Sequence, residues 1–374
     1  TDSGTLAISG ATTISASGQD ITLSETASTF GAISVIGANV AVTEAAATDL
    51  GASTVSGTFG ITSTGAITDS GTLAITGASI FTNSGGTDEV ITLDDSANVF
   101  TGTVTFATDS GSAVTIVDTT ALDLVALSAA SLSVTAGGAV TDSGTLAISG
   151  ATTISASGQD ITLTETASTF GTISVTGANV SVTEAAATDL GASTVSGTLG
   201  ITSTGAVTDS GTLAITGVTT ISASGQNITL DQAASTFGTL ALTGANVAVT
   251  ENAATDLGAN TVSGTFGITS GGSITDSGTQ AITGDATFTN TAGTDDAITL
   301  DDAGNAFGGT VTFATDSGSA VSIVDTTALD LKALSAASLS ATSGGAVTDS
   351  GTLAITGATT ISASGQDITL SETA

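Results

Sequence analysis

The sequence predicts an all-β solenoid, a parallel β-helix with about 20–24 residues in each coil. Three observations predict this fold class. The octapeptide TDSGTLAI at Thr1 recurs at Thr68, Thr141, Thr208 and Thr348, and once as TDSGTQAI at Thr275. Short segments of alternating apolar and polar residues separate glycines at regular intervals. Small and β-branched residues dominate and proline is absent, which favours short strands joined by glycine turns.

The octapeptide divides the chain into six repeats of a shorter and a longer kind. They are 1–67, 68–140, 141–207, 208–274, 275–347 and the partial repeat 348–374. Repeats 1–67 and 141–207 differ at only six positions. A repeat that cannot bury an apolar face alone is stabilised by stacking on its neighbours. We therefore predict one continuous solenoid over 1–374, in which near-identical repeats leave little room for a unique active site.

Glycines divide each repeat into coils. Gly4, Gly31, Gly51 and Gly71 follow the related turn segments TDS, STF, TDL and TDS; the last two steps between them are equal, and the first is longer. Alternating strands such as TLAIS, AISVI and ASTVS come after these glycines. The spacing predicts three coils per repeat and about 17 coils in the whole chain, stacked about 4.8 Å apart.

The alternation within the strands predicts the core, because residues two apart in a strand share a face. The residues predicted to face inward are Leu6, Ile8, Ile33, Val35, Val55, Leu73 and Ile75. All eleven phenylalanines recur at equivalent positions of different repeats, which favours a core role over ligand stacking. They are Phe30, Phe59, Phe81, Phe100, Phe106, Phe170, Phe237, Phe266, Phe288, Phe307 and Phe313.

The charge excludes two classes of partner. The chain has 34 acidic residues and one basic residue, Lys332, for a net charge of −33. Nucleic acids and anionic membrane surfaces are bound through lysine and arginine, so neither is expected as a partner. The apolar runs are too short for a membrane-spanning helix. Because no start methionine or secretory signal is present, we expect this segment to belong to a longer protein.

Aspartates mark one position of the coil, counted from the corner glycine. The pairs predicted to stack in successive coils are Asp49 and Asp69, Asp123 and Asp142, Asp189 and Asp209, Asp256 and Asp276, and Asp330 and Asp349. Stacking would place their carboxylates about 5 Å apart. One interpretation is that each aspartate accepts backbone N–H bonds in its own turn. The other is a Ca²⁺ site, since this cation takes clustered carboxylate oxygens.

Two further patterns are weaker. The acidic segment GGTDEVITLDDSAN at 85–98 recurs as AGTDDAITLDDAGN at 292–305, but it lacks the strict glycine–aspartate nonapeptide of calcium-binding β-rolls. Threonine arrays on flat solenoids can bind ice. The threonines here are spread over several segments, so no unbroken threonine column is expected on one face.

Catalysis is not expected. Lyases with a β-helical fold need a strong base and a cation that stabilises the intermediate, and this chain has no histidine or arginine and a single lysine. Its acidic residues recur in every repeat, as a surface pattern does. Its serines and threonines have no histidine to activate them.

Two stretches, TDLGASTVSGTFGITSTGAITDSGTLAITG at 48–77 and FTGTVTFATDSGSAVTIVDTTALDL at 100–124, resemble the repeat rods of filamentous-haemagglutinin-like exoproteins. These are very large bacterial surface adhesins, many of them exported by two-partner secretion. The resemblance implies a right-handed parallel β-helix and an extracellular or cell-surface location. It carries over no functional residue.

We therefore predict the shaft of a secreted surface fibre or adhesin, which extends, spaces, and associates with copies of itself in filaments or a biofilm matrix. A host or neighbouring cell surface is a further candidate partner. The alternative is a binding module that holds Ca²⁺ or carbohydrate through its acidic ladders.

Overall fold

A computed structural model describes residues 1–86, 88–291, 293 and 295–371. These residues form β-strands and connecting segments, and no helix occurs among them. The strands stack in parallel as a β-solenoid of about 18 coils, which confirms the predicted fold class. The chain forms two compact units, residues 1–185 and 186–374. Their continuation as one rod stays a prediction.

The described residues of the first unit form 22 strands. They are β1 Thr12–Ser15, β2 Ile21–Leu23, β3 Ala32–Gly37, β4 Val40–Glu44, β5 Thr48–Leu50, β6 Ser53–Val55, β7 Phe59–Ser63, β8 Ile67–Asp69, β9 Leu73–Ile75, β10 Ser79–Asn83, β11 Ile91–Leu93, β12 Val99–Phe100, β13 Val104–Ala107, β14 Ala113–Asp118, β15 Leu122–Leu124, β16 Leu127–Ala129, β17 Ser131–Ala136, β18 Val140–Asp142, β19 Leu146–Ser155, β20 Ile161–Leu163, β21 Thr169–Gly177 and β22 Val180–Glu184.

The second unit contains the remaining strands described. They are β23 Thr188–Leu190, β24 Ser193–Val195, β25 Leu199–Ser203, β26 Val207–Asp209, β27 Leu213–Ile215, β28 Val218–Ser222, β29 Ile228–Leu230, β30 Thr239–Gly244, β31 Val247–Glu251, β32 Thr255–Leu257, β33 Asn260–Val262, β34 Phe266–Ser270, β35 Ile274–Asp276, β36 Gln280–Ile282, β37 Ala286–Asn290, β38 Ile298–Leu300, β39 Ala306–Phe307, β40 Thr310–Ala314, β41 Ala320–Asp325, β42 Leu329–Ala336, β43 Ser338–Ser343, β44 Val347–Asp349, β45 Leu353–Ile355, β46 Thr359–Ala363 and β47 Ile368–Thr369.

Three strands complete one coil. Each strand from β4 to β10 pairs in parallel with the strand three places later, so β4 pairs with β7 and β10 with β13. Thr68 lies in β8 and its equivalent Thr141 lies in β18, so the chain advances by ten strands from one octapeptide to the next. One repeat therefore makes three and one third coils. The prediction of three coils per repeat is wrong, because Gly31 stacks on Gly10 and not on Gly4, so the longest step between the corner glycines covers more than one coil.

The extra third of a coil moves equivalent residues to different faces. Thr12 in the first repeat pairs with Ile33. Its equivalent in the second repeat, Ser79, pairs with Phe59, which in turn pairs with Val40 in another column. A sequence position therefore returns to the same face only after three repeats.

The core of each unit is a set of apolar columns along the inside of the coils. All eleven phenylalanines are buried, which confirms their predicted core role. Phe81 contacts Phe59 edge to face at 5.9 Å and stacks on Phe106 at 5.8 Å between ring centroids, and Phe288 makes matching contacts with Phe313 in the second unit.

The predicted inward set is confirmed for Ile33, Val35, Val55, Leu73 and Ile75, which are all buried. Leu6 is half-buried and Ile8 is 36 % exposed, whereas their equivalents in the third repeat, Leu146 and Ile148, are buried. Among the described residues no strand precedes this segment, and its inner face is therefore covered from one side only.

Glycine is required at two kinds of corner. Gly158, in the segment SASGQ, has a φ of +73°, a left-handed conformation that side chains rarely adopt. At Gly144 the backbone conformation is ordinary, but a Cβ atom would collide with the carbonyl oxygen of Val125 in the preceding coil. The close approach of the two coils, and not the backbone torsion angle, therefore requires glycine at position 144.

Candidate functional site

The predicted aspartate ladder does not form. Asp49 pairs with Thr68, and Leu50 pairs with Asp69, so the two aspartates are one residue out of register. The other four predicted pairs show the same offset: Asp123 and Asp142, Asp189 and Asp209, Asp256 and Asp276, and Asp330 and Asp349. Neighbouring positions of a strand point to opposite faces, so the stacking prediction is wrong.

The aspartate of each TDSG segment instead binds the following coil. The Asp69 carboxylate accepts the backbone N–H groups of Asp94 at 2.8 Å and Asp95 at 3.3 Å, and the side-chain amide of Asn98 at 2.6 Å. Equivalent bonds are made by Asp2, Asp142, Asp209, Asp276 and Asp349. The donors of these bonds belong to the next coil, so the prediction that each aspartate caps its own turn is wrong for these bonds.

We call these aspartates, which bind the following coil, the aspartate clamps. Their surroundings shift the pKa of five of them. Burial raises the pKa of the clamping aspartates Asp69, Asp142, Asp209 and Asp276, because their hydrogen bonds offset the desolvation only in part. At Asp2, in the first repeat, the backbone N–H of Ser24 outweighs desolvation and lowers the pKa.

Three of the other predicted aspartates, Asp123, Asp189 and Asp256, bind hydroxyl groups instead. The Asp123 carboxylate accepts the Ser143 hydroxyl at 2.9 Å, and Asp256 accepts the hydroxyls of Thr239 at 2.9 Å and Ser277 at 2.8 Å. Within the described residues, no group of three or more acidic side chains could hold a metal ion. In the acidic segments 85–98 and 292–305, residues 87, 292 and 294 lie outside the described part. Ca²⁺ binding stays a prediction.

A second set of acids was missed by the sequence analysis. One carboxyl group in each of the first five repeats is buried at the end of a strand and accepts the backbone N–H of a phenylalanine in the preceding coil. The pairs are Glu44 with Phe30 at 2.7 Å, Asp118 with Phe100 at 3.2 Å, Glu184 with Phe170 at 2.8 Å, Glu251 with Phe237 at 2.6 Å and Asp325 with Phe307 at 3.2 Å. We call these five residues the buried acids.

The alternation of the strands contained a signal for the buried acids. In VAVTE, Glu44 is in phase with the inward residues Val40 and Val42, and the structure buries all three. In AVTIVD, Asp118 follows Val114 and Ile116 in the same way. An acid in phase with the core was therefore visible in the sequence.

Burial raises the pKa of four buried acids, Glu44, Asp118, Glu251 and Asp325. For Glu251 the pKa rises to about 7, although the Phe237 N–H and the Thr255 hydroxyl, 2.9 Å away, both donate to its carboxyl group. These donors only partly replace the water lost on burial.

The structure also contains a hydroxyl column that the sequence analysis did not expect. In the first unit, parallel pairing stacks Thr68, Thr92, Thr115, Ser133, Thr153 and Ser174 on one outer face. In the second unit it stacks Thr275, Thr299, Ser322, Ser340 and Thr360. Serines interrupt the threonines in both columns, so neither is an unbroken threonine column; hydroxyl residues line up because different segments of successive repeats meet on the same face.

Fold and contacts together define a β-solenoid repeat protein, in which the same bonds between coils recur from repeat to repeat. The chain belongs to the family described as repeats of unknown function (DUF5649), whose model matches residues 1–36, 37–107, 111–176, 177–243, 244–314 and 318–374. The comparisons with curated proteins and with solved structures found no match. None of the described segments is an apolar helix of membrane-crossing length.

Proposed function

We propose that this chain is a segment of the shaft of a secreted bacterial surface fibre or adhesin. The observation that carries the proposal is the repetition of the clamps between coils. The aspartate clamp occurs in all six repeats, and the buried acid in the five complete ones. Each added repeat therefore brings the bonds that dock it on its neighbour, which is what a protein that works by length requires.

The resemblance to filamentous-haemagglutinin-like rods supports an extracellular location and association with copies of the chain in a fibre or matrix. The charge suits such an exterior, since a net charge of −33 keeps isolated copies apart at low salt. We propose no catalytic activity, because the chain lacks histidine and arginine, and its acids with raised pKa hold coils together. The alternative module with acidic ladders loses support, since the aspartates alternate between faces.

The proposal is tested by changing the number of repeats. The block 68–274 contains three whole repeats and therefore ten coils, so duplicating it keeps every position on its face. At about 4.8 Å per coil, electron microscopy should show a particle about 48 Å longer. A block of the same composition in shuffled order is the control and should add no ordered length. A duplicated chain whose length does not increase would contradict the shaft. Antibody labelling of intact producing cells tests the location separately.

A further inference from the structure

The buried acids help to dock successive repeats, but the choice of a carboxyl group for a buried position needs its own explanation. Glu44, Asp118, Glu184, Glu251 and Asp325 each expose no more than 2 % of their surface. Burying a charge costs a great deal unless an opposite charge accompanies it. A shaft of small and apolar residues does not require an acid at this place, since apolar residues already form its core.

No cation compensates these groups. The chain has no arginine or histidine, and its only lysine, Lys332, is exposed. Other acidic residues lie on or beside the strands around each buried acid. They are Asp20, Glu25 and Asp49 around Glu44; Asp94, Asp95 and Asp123 around Asp118; Asp160 and Glu165 around Glu184; Asp231 and Asp256 around Glu251; and Asp301, Asp302 and Asp330 around Asp325. For the four groups with a raised pKa, no charged neighbour contributes to the shift.

The hydrogen bonds fit an uncharged carboxyl group. The Oδ2 atoms of Asp118 and Asp325 are buried and accept no hydrogen bond, although an ionised carboxylate would need donors at both oxygens. At Glu251 the Oε2 atom lies 2.9 Å from the Thr255 hydroxyl, which can accept a carboxyl proton as readily as it donates one. The other oxygen still accepts the phenylalanine N–H when the group is protonated.

We propose that the five buried acids form a proton-operated lock between successive coils, which stabilises the solenoid in acidic medium and weakens it as the pH rises. Each lock joins a phenylalanine of one coil to the strand end of the next. Uptake of a proton removes the cost of the buried charge and keeps the hydrogen bond. The ligand of this site is the proton itself.

The expected effect of pH on the stability of the folded chain follows from the pKa of Glu251. Its pKa is about 7 in the folded chain, against an ordinary value of 4.5. A shift of this size makes the folded form roughly 300-fold less favoured at pH 8 than below pH 4.5. The stabilisation is complete below pH 4.5 and is lost as the pH rises through about 7, because the folded chain binds the proton more tightly than the unfolded chain.

Hydrogen exchange of the Phe237 amide, corrected for the intrinsic rate, tests the lock between pH 4 and 8. In the unchanged chain we expect its protection to fall by up to roughly 300-fold as the pH rises. In Glu251→Gln, which keeps the acceptor oxygen without the charge, the protection should stay within about tenfold. The matched control Glu165→Gln removes an exposed charge and should keep the full pH dependence.

Equal pH dependence in Glu251→Gln and Glu165→Gln would overturn the lock and assign the effect to surface charge. If Glu251→Gln does not fold, the unchanged chain gives the answer. Carbon-13 labelling of the glutamate side chains then follows each carboxyl group by NMR. Titration of Glu251 near 7 supports the lock, and titration of Glu251 near its ordinary value of 4.5 overturns it.

Discussion

Replacing Asp69 by alanine is expected to destabilise the first unit, whereas the same change at Asp49 should have little effect. The Asp69 carboxylate holds three donors of the next coil, at 2.8 Å, 3.3 Å and 2.6 Å. Asp49 is one residue out of register with Asp69 and lies beside Thr68. Only Asp69 therefore fastens one coil to the next.

The magnitude follows from the bonds lost. A hydrogen bond to a charged group contributes about 1.5–3 kcal/mol in a buried site, and two of the three donors belong to exposed or half-buried residues that water can reach. We therefore expect Asp69→Ala to cost about 3 kcal/mol and Asp49→Ala to change stability by less than about 0.5 kcal/mol. Asp276→Ala in the second unit removes equivalent bonds, at 2.9 Å, 3.3 Å and 2.6 Å, and should cost the same.

Urea denaturation followed by far-ultraviolet circular dichroism measures these changes, because the chain has no tryptophan or tyrosine for fluorescence. The aspartate ladder predicts the opposite result. If Asp49 and Asp69 repelled each other, either alanine substitution would stabilise the chain. Equal stabilisation by both changes would refute the register on which the clamp depends.

Three further outcomes concern stability, and a fourth concerns assembly. Phe81→Ala should cost about 3–5 kcal/mol in urea denaturation, since the ring is fully buried, while Ile80→Ala at the exposed neighbouring position should cost far less. Between pH 4.5 and about 7, Glu251 should lose about 3 kcal/mol of its contribution to stability, and a pH series of Glu251→Gln and unchanged chains measures the difference. Chelators should leave the melting temperature unchanged, because the aspartates alternate between faces; a large loss would restore the Ca²⁺ module. Light scattering should show bundling in CaCl₂ or in NaCl near about 0.5 M but not in dilute buffer, and equal bundling in dilute chelator-treated buffer would show that charge does not control assembly.

Much of this protein could be predicted from local pattern. The octapeptide, the glycine spacing and the alternation of apolar residues predict a parallel solenoid, and the recurrence of phenylalanines such as Phe81 predicts their burial. The same alternation placed Glu44 on the inner face. An acidic side chain favours a place on the surface, but the face of a strand residue depends on its phase alone.

The sequence by itself determined which residues face inward, because that choice depends only on the two-residue period within a strand. It did not determine which residues of neighbouring coils meet. That register depends on the summed lengths of three strands and three corners. An error of one residue in this sum pairs Asp69 with Asp49, whereas the structure pairs it with Leu50. The same sum gives each repeat three and one third coils. The tertiary structure alone therefore decided that aspartates clamp the next coil, that hydroxyls form unbroken columns, and that each buried acid meets the N–H of a phenylalanine.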